Sequence, residues 1–311
     1  MEEEGYIPED EIEEEEEEFD EEGLRFRWKI STYSLSGLTI LLNLIIVLIL
    51  IFKRNLGSTL NKVIFLVSLA DLGFGMCVIP FFVDNYVENN WNFTQEFCRF
   101  YTFYFTFHDL FQALSLIFVS IYISFKFTGM SVNTVGWTRT KLGMSLSIVV
   151  FSILLALPAT LHAGIFQDPS SQQTFKQECR TLDIYTMPIT YIFSSSILFC
   201  FSMGFLFSLC ILGSPLLKGA YDPEEHSKKW RIILTLSVVN ILYIICGFLL
   251  NFKEISRFLF KCCNIIKPFS ELNDISYDAW SFSLLSSRTM LRPGVYLLFY
   301  QKYLLEKPYY Y

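Results

Sequence analysis

Residues 31–52 read STYSLSGLTILLNLIIVLILIF, 22 consecutive positions without an Asp, Glu, Lys or Arg. An α-helix rises about 1.5 Å per residue, so about 20 apolar residues cross the hydrocarbon core of a bilayer, which is roughly 30 Å thick. The stretch meets that requirement in length and in composition. It therefore predicts a transmembrane helix, with Asn43 as a polar residue inside it.

Six further apolar stretches of similar length follow the first. They cover residues 63–83, 100–125, 142–162, 185–212, 232–252 and 276–300. Each is long enough to span a bilayer, and the segments between them are short. We therefore expect an all-α membrane protein, a seven-transmembrane helix bundle with a short amphipathic C-terminal helix.

The composition agrees with a membrane protein and argues against a soluble enzyme or a nucleic-acid-binding protein. Only 18% of the residues are charged and the mean hydropathy is +0.40, whereas soluble chains are about a quarter charged. Of the 31 acidic residues, 15 lie in the first 22 positions, and the remainder carries 16 acidic against 24 basic residues. We expect residues 1–27 to be a disordered acidic extracellular arm, 28–304 the bundle, and 305–311 a very short cytoplasmic tail.

The orientation of the bundle does not follow from its basic residues. With the N-terminus outside, the inner segments hold 12 Lys and Arg and the outer segments hold 10, so the positive-inside rule does not discriminate. The glycosylation sequon at Asn92 and the two residues Cys98 and Cys179 all fall on the same side, where glycans and disulfides form. We expect a multi-pass glycoprotein of the plasma membrane with an extracellular N-terminus.

Several motifs match one family in their order and spacing. Asn43 and Asp71 lie 28 residues apart, Cys98 follows Asp71 by 27 residues, the fourth stretch ends with Pro158, and the seventh contains Arg292-Pro293-Gly294-Val295-Tyr296. Each motif alone is weak, but together they are specific. Over residues 28–304 the chain resembles the rhodopsin-like (class A) G-protein-coupled receptors, as a divergent member of the orphan, decoy or viral type.

The resemblance implies how the protein works. It implies a Cys98–Cys179 disulfide, a bundle embedded in the lipid bilayer, an extracellular ligand bound at the outer mouth, and a heterotrimeric G protein that binds the bundle on its inner side. It implies no catalytic residue and no cofactor, and the sequence holds no nucleophile–base pair and no Cys/His set for a metal. Cys262 and Cys263 are left open between a vicinal bond, an intermolecular bond and free thiols.

The chain departs from the family where signalling is carried out. The Arg of the third helix is replaced by Ile123, the Cys-Trp-x-Pro motif of the sixth helix reads Cys246-Gly247-Phe248-Leu249, and the Asn of the seventh-helix motif is Arg292. G-protein coupling is therefore expected to be atypical or lost. The alternative is a non-signalling decoy or scaffold receptor, and a transporter or channel subunit is the less favoured alternative because no inverted repeat is visible.

Charged residues inside the predicted spans form the candidate site, since isolated charges are costly in a bilayer. In the family, the Asp at position 71 and the seventh-helix Asn help to hold a sodium ion. We expect Arg292 to form a salt bridge with Asp71 instead, or alternatively to reach the inner interface. The other candidates are state-setting residues near this pair and a second group that forms either a structural network or a ligand contact: Asn43, Pro293 and Tyr296 in the former set, and His108, Asp109 and Arg288 in the latter.

The acidic arm has two interpretations. Tyr6 lies between acidic runs, a setting in which extracellular tyrosines become sulfated, and a flexible acidic arm attracts basic peptides or proteins. Chemokine receptors use such arms, and Pro80 in the second stretch also resembles them. The alternative is a solvated run of charge without a partner.

Overall fold

The computed structural model describes residues 9–53, 56, 58–87, 91–127, 134–167, 177–181, 223–263 and 275–305. Within them the fold is dominated by six long helices. These are α1 (Glu9–Phe52), α2 (Thr59–Cys77), α4 (Gln95–Phe127), α5 (Thr134–Leu161), α6 (Pro223–Cys263) and α7 (Ile275–Leu305), with a short α3 (Ile79–Phe82) and a π-helical turn (Val83–Val87) after α2. The predicted helix at 185–212 lies outside the described residues.

Four of the described helices are long and apolar enough to cross a membrane. They are Glu22–Phe52, Thr59–Asn85, Gln95–Ile123 and Lys229–Phe248. A shorter apolar helix, Leu146–Leu161, lies in α5. The prediction of a helical membrane protein is thus confirmed, whereas the count of seven stays a prediction.

The all-α prediction missed a β-hairpin. Strands β1 (Ala163–Gln167) and β2 (Gln177–Thr181) pair antiparallel, with Ile165 opposite Cys179. Each strand has five residues, and such short strands carry little periodicity of their own. The hairpin lies at one end of the bundle, which we call the disulfide end because Cys179 is bonded there to Cys98 of α4.

The N-terminal arm is also corrected. We predicted disorder over residues 1–27, but α1 begins at Glu9 and runs without a break into the first apolar stretch. Glutamate is a good helix former, and extending a helix that is already nucleated is far easier than starting one. The acidic residues from Glu9 onward are therefore a helical extension of the first span, and residues 1–8 lie outside the described part.

The second predicted stretch is interrupted rather than continuous. α2 ends at Cys77, and α3 begins one residue before Pro80. Proline has no backbone N–H and its ring clashes with the carbonyl four residues earlier, which favours a kink or break in the helix, and here the helix breaks. The chain re-forms as one short helical turn and then the π-helical turn, which carries Asn85.

Helix bounds at the C-terminal end differ from the prediction as well. α6 extends beyond the predicted 232–252 at both ends, so part of the predicted loop at 253–275 is helical. α7 continues unbroken to Leu305. Up to that residue the described chain is one continuous helix, with no separate C-terminal helix.

Some large apolar side chains face outward while polar side chains lie in the interior of the bundle. Leu38, Leu41 and Leu48 of α1 point outward and are 39–53% exposed, whereas Asn43 on the same helix is fully buried. In a bilayer, apolar side chains face the lipid, and polar groups find hydrogen-bond partners inside the helix bundle. α1 packs along α2 and α7, α4 along α5, and α6 along α7, so polar residues of four helices converge in the interior.

A buried polar network as the candidate functional site

Two ion pairs connect α7 to the middle of the bundle. The Arg292 Nη1 atom lies 3.4 Å from Asp71 Oδ2 of α2, and Arg288 Nη2 donates to Asp109 Oδ1 of α4 at 2.5 Å. All four side chains are almost completely buried. Two carboxylates and two guanidinium groups therefore balance in charge within the interior.

The Asp71 carboxylate is shared among three helices. His108 Nε2 lies 2.9 Å from Asp71 Oδ1, and Gln112 Nε2 donates to the same oxygen. Whether His108 Nε2 donates to Asp71 or accepts from Gln112 Nε2 depends on the imidazole tautomer. Gln112 Oε1 in turn accepts from Arg292 Nη2, so one amide joins the carboxylate and the guanidinium that face each other.

The first helix joins the network through backbone groups of α7. Asn43 Nδ2 donates to the Thr39 carbonyl and to the Thr289 carbonyl, both at 2.9 Å. The hydroxyls of Thr39 and Thr289 lie 3.3 Å apart. Asn43 thus fixes the position of α1 against α7 and makes no described contact with Asp71 itself.

The sixth helix meets the network at an aromatic ring. The Arg288 guanidinium lies over Tyr243 of α6, 4.9 Å from the ring centroid. Arg288 Nε and Nη1 have no hydrogen-bond partner among the described residues. A desolvated cation over an aromatic face is attracted by about 2 kcal/mol, so the ring supplies part of what the missing hydrogen bonds would give.

A small cavity lies beside the network, toward the end opposite the disulfide. Its volume is about 30 Å³, room for roughly two water molecules. Gln112, Ser115, Arg292 and Tyr296 contribute polar atoms to a lining that is otherwise mostly apolar. The Ser115 hydroxyl is buried and has no partner among the described residues, so the cavity offers a place for ordered water.

The site does not fit a sodium ion. A sodium site needs oxygen ligands around an open position, but the Arg292 guanidinium stands next to the Asp71 carboxylate and Gln112 occupies its other oxygen. A second cation there would face a fixed positive charge in a low-dielectric interior. The Arg292 side chain therefore supplies, beside Asp71, the positive charge that a bound sodium ion would supply.

The structure brings most of the sequence-predicted residues together and separates others. In the buried network, Asp71, His108 and Arg292 belong to one set of contacts that includes Gln112, and Asp109 and Arg288 form a second pair. Asn43 joins the network only through α7, Tyr296 lines the cavity, and Pro293 is buried within α7 with no described polar contact. Tyr6 lies outside the described residues, as do the side chains of Cys262 and Cys263.

Sequence reasoning missed two residues of the network, Gln112 and Tyr243. Gln112 follows His108 by four positions, which places both on the same face of a helix. An amide on that face of an apolar span was the available signal, since such side chains seek partners on neighbouring helices. Nothing in the sequence around Tyr243 singled it out from the other aromatic residues.

At the disulfide end, three attachments hold the hairpin. Cys98 and Cys179 form a disulfide with a Cα–Cα distance of 5.6 Å. Asn85 donates to the Cys179 carbonyl at 2.9 Å and accepts from the Cys179 N–H at 2.7 Å. The Trp91 backbone N–H donates to the Gln177 carbonyl at 2.7 Å. Asn92 is exposed beside these contacts.

At the other end, Ile123 occupies the position that the resemblance assigns to the family's Arg. It lies 25 residues after Cys98 on α4, about 38 Å along the helix axis. Its side chain is only 2% exposed and packs in the main apolar core with Val119 and Tyr296. Phe248, at one of the other departures, points outward and is half exposed.

Comparisons with known proteins agree with the motifs. The family model described as 7 transmembrane receptor (rhodopsin family) matches residues 42–296. The human galanin receptor type 1 is 30% identical over 120 residues, which is 38% of this chain and 34% of that receptor. The match thus covers about a third of the length of that relative.

Proposed function

The chain belongs to the rhodopsin family of seven-transmembrane receptors, and on that premise we propose that it binds an extracellular ligand with altered or lost G-protein coupling. The family consists of receptors and not enzymes, and its members in general take extracellular ligands and G proteins as partners. The observation that carries the proposal on coupling is Ile123. An apolar side chain buried in the core replaces the cation that receives the G protein in the family.

Nucleotide exchange on the G protein measures this coupling directly. The unmodified chain, expressed in cells at a measured surface level, is expected to give little exchange on any G-protein class. Ile123→Arg restores the missing cation and is expected to raise basal exchange at least threefold, whereas Ile123→Leu, which keeps an apolar residue of the same size, leaves it unchanged. Robust exchange from the unmodified chain would exclude the decoy form of the proposal.

The Asp71–Arg292 pair supports a second element of the proposal, namely that the bundle needs no sodium to hold its resting state. The tethered guanidinium supplies the positive charge beside Asp71. Purified receptor is expected to melt at the same temperature in sodium chloride and in potassium chloride. Arg292→Asn restores the family residue and is expected to gain several degrees in sodium alone; sodium-specific stabilisation of the unmodified chain would contradict the idea.

The N-terminal acidic residues support a basic ligand. We propose that the acidic residues of Glu9–Glu22 attract a basic peptide or protein to the outer mouth of the bundle. Sulfation of Tyr6 adds to this negative charge. Because the chain is similar to a galanin receptor, galanin is a further ligand to test. Such steering raises association rates by about 10-fold or more and weakens with salt. Association of a fluorescent nona-arginine peptide is expected to slow about tenfold when Glu13–Glu18 are replaced by Gln.

A matched control separates steering by the arm from general surface charge. Glu96→Gln removes an exposed acidic residue at the start of α4, and it is expected to change the association rate by less than twofold. Equal effects of the two changes, or a rate that does not depend on salt, would leave the arm without a role in binding.

The orientation with the N-terminus outside and the plasma-membrane location are likewise proposals. They are supported by the disulfide and by the exposed sequon residue Asn92 at the same end of the bundle, because both disulfide formation and N-glycosylation require the oxidising lumenal or extracellular side. An antibody against an N-terminal epitope is expected to label intact cells. Labelling only after permeabilisation would reverse the orientation.

A further inference from the structure

The sequon Asn92-Phe93-Thr94 lies beside the start of α4 at the disulfide end, next to Trp91, whose backbone is bonded to β2; we call residues 91–98 together with β2 the corner. We propose that N-glycosylation of Asn92 competes with closure of this corner, so that the receptor is made in both a glycosylated and an unglycosylated form. The inference rests on the proposed orientation, which places this corner on the lumenal side during synthesis. Asn92 is then accessible to the glycan transferase only before the corner closes.

The hydroxyl of Thr94 is committed to the start of α4. Its Oγ1 accepts a hydrogen bond from the Phe97 N–H at 3.3 Å, and its carbonyl accepts from the Cys98 N–H at 3.1 Å. This is an N-cap, in which the side chain satisfies a backbone donor that the helix cannot. An enzyme that binds the sequon as a free segment therefore has to open the first turn of α4.

The middle residue of the sequon is held by aromatic packing. The Phe93 ring lies 5.1 Å from Phe81, 5.2 Å from Trp91 and 5.2 Å from Phe97, measured between ring centroids. Trp91 is fully buried, and its backbone N–H donates to the Gln177 carbonyl of β2. Both neighbours of Asn92 therefore have packing partners in the folded receptor, although Phe93 is 36% exposed and the Asn92 side chain is also exposed.

Glycan transfer needs the same groups in a free segment. A bond forms between Asn92 Nδ2 and the anomeric carbon of a lipid-diphosphate-linked oligosaccharide, the bond from that carbon to the diphosphate oxygen breaks, Nδ2 loses one proton and the lipid diphosphate leaves. The transferase has to hold the Asn92 amide and the Thr94 hydroxyl together while this occurs. Once Thr94 caps α4 and Trp91 is bonded to β2, that binding is blocked.

The time available for glycan transfer depends on how long after Asn92 the strand β2 is synthesised. The corner cannot close before β2 is made, and Gln177 follows Asn92 by 85 residues. At roughly 5–20 residues per second this takes about 4–17 s. A helix cap alone opens and closes in about a microsecond or less and does not block transfer, so the lasting block arises when Cys179 bonds to Cys98.

The test is a measurement of site occupancy in cells. The full chain is expressed, and the fraction of molecules shifted by a glycosidase is read on a gel, with Asn92→Gln as the blank. The unmodified chain is expected to show both forms. Cys179→Ser removes the disulfide, and Phe93→Ser removes the ring but keeps the sequon; each is expected to lower the unglycosylated fraction at least twofold, as is dithiothreitol in the medium.

A second sequon serves as the matched control. Glu14→Asn together with Glu16→Thr places an acceptor in the arm, away from the corner, and its occupancy is expected not to change with dithiothreitol. If this acceptor stays bare along with Asn92, the proposed orientation is wrong. If it is filled while Asn92 occupancy is the same in the unmodified chain, Cys179→Ser and Phe93→Ser, the competition is excluded. The readout is covalent, so the variants need not fold.

Discussion

At the scale of single residues, Gln112 connects the charged groups of the interior. Its amide nitrogen donates to Asp71 and its amide oxygen accepts from Arg292. An uncharged amide offers a donor and an acceptor on two separate atoms, so it can bond an anion with one and a cation with the other. The ion pair of Asp71 and Arg292 is 3.4 Å long, and Asp71 Oδ2 has no hydrogen-bond partner among the described residues. The carboxylate contacts this amide and His108 through its other oxygen, Oδ1.

Breaking this ion pair on one side is expected to be more harmful than removing it. Arg292→Asn leaves the Asp71 carboxylate in a low-dielectric site without its cation, and loss of one partner of a buried pair costs about 3–5 kcal/mol. Adding Asp71→Asn removes the stranded charge, so the double variant is expected to recover stability relative to Arg292→Asn. Thermal unfolding of purified receptor in potassium buffer measures both.

Leu41→Ala provides a control for a substitution on the lipid-facing side, where the side chain is 53% exposed. It is expected to change the melting temperature little. If both single changes at Asp71 and Arg292 were equally harmless and the double variant added nothing, the two side chains would not interact, and Arg292 would have another role.

At the scale of helices, the approach of α1 to α2 depends on a glycine. A Cβ atom on Gly75 would lie 3.0 Å from Ile40 Cγ1 and 3.2 Å from Thr39 Cγ2, and the Gly75 carbonyl accepts from Ser36 Oγ at 2.7 Å. Small residues allow helix backbones to come close in membranes, where van der Waals packing and hydrogen bonds drive association. Thr39 also contacts α7, so this approach places α1 for its contact with the network.

Gly75→Leu is therefore expected to destabilise the receptor by about 1–3 kcal/mol, the usual cost of overpacking. Gly37→Leu is the matched control, because no atom lies within 4 Å of a Cβ at that position of α1, and leucine favours helix more than glycine does. Unfolding temperatures in detergent compare the two. A Gly75→Leu receptor as stable as Gly37→Leu would show that α1 moves away from α2 without cost.

At the scale of the whole molecule, the bundle is closed at one end by covalent and polar attachments and held in the middle by charge. The disulfide spans 81 residues, for which chain entropy gives a stabilisation of about 4.5 kcal/mol. Asn85 bonds both backbone groups of the same Cys179. The two attachments thus hold one strand from two helical elements, α4 and the π-helical turn.

Because both attachments act on Cys179, their effects are expected to be non-additive. Asn85→Leu leaves a buried N–H and a buried carbonyl of Cys179 without partners and is expected to cost about 2 kcal/mol. In a receptor with Cys98→Ala and Cys179→Ala, the same change is expected to cost more, since no covalent bond then holds β2. Melting temperatures of the four proteins form the cycle; equal costs in both backgrounds would show that Asn85 and the disulfide act independently.

Much of this site could be foreseen because charges in an apolar span are conspicuous. Asp71, Asp109, Arg288 and Arg292 were identified from composition alone, and the pairing of Asp71 with Arg292 was expected from the resemblance. The choice of Asp109 for Arg288 was left open, and Gln112 was not recognised. The break at Pro80 could have been read from the missing N–H of proline, but the Asn85 contacts that follow depend on a strand about 94 residues later.

What the sequence determined by itself is the location of the apolar spans, the position of each charge within them and the family. These are local properties, because the free energy of placing a residue in lipid depends on that residue and its immediate neighbours. The tertiary structure decided which groups meet: Arg288 with Asp109, separated by 179 residues, Arg292 with Gln112, separated by 180, and Asn43 with α7. Helix rotation and crossing set those contacts, and they follow from the packing of all helices together.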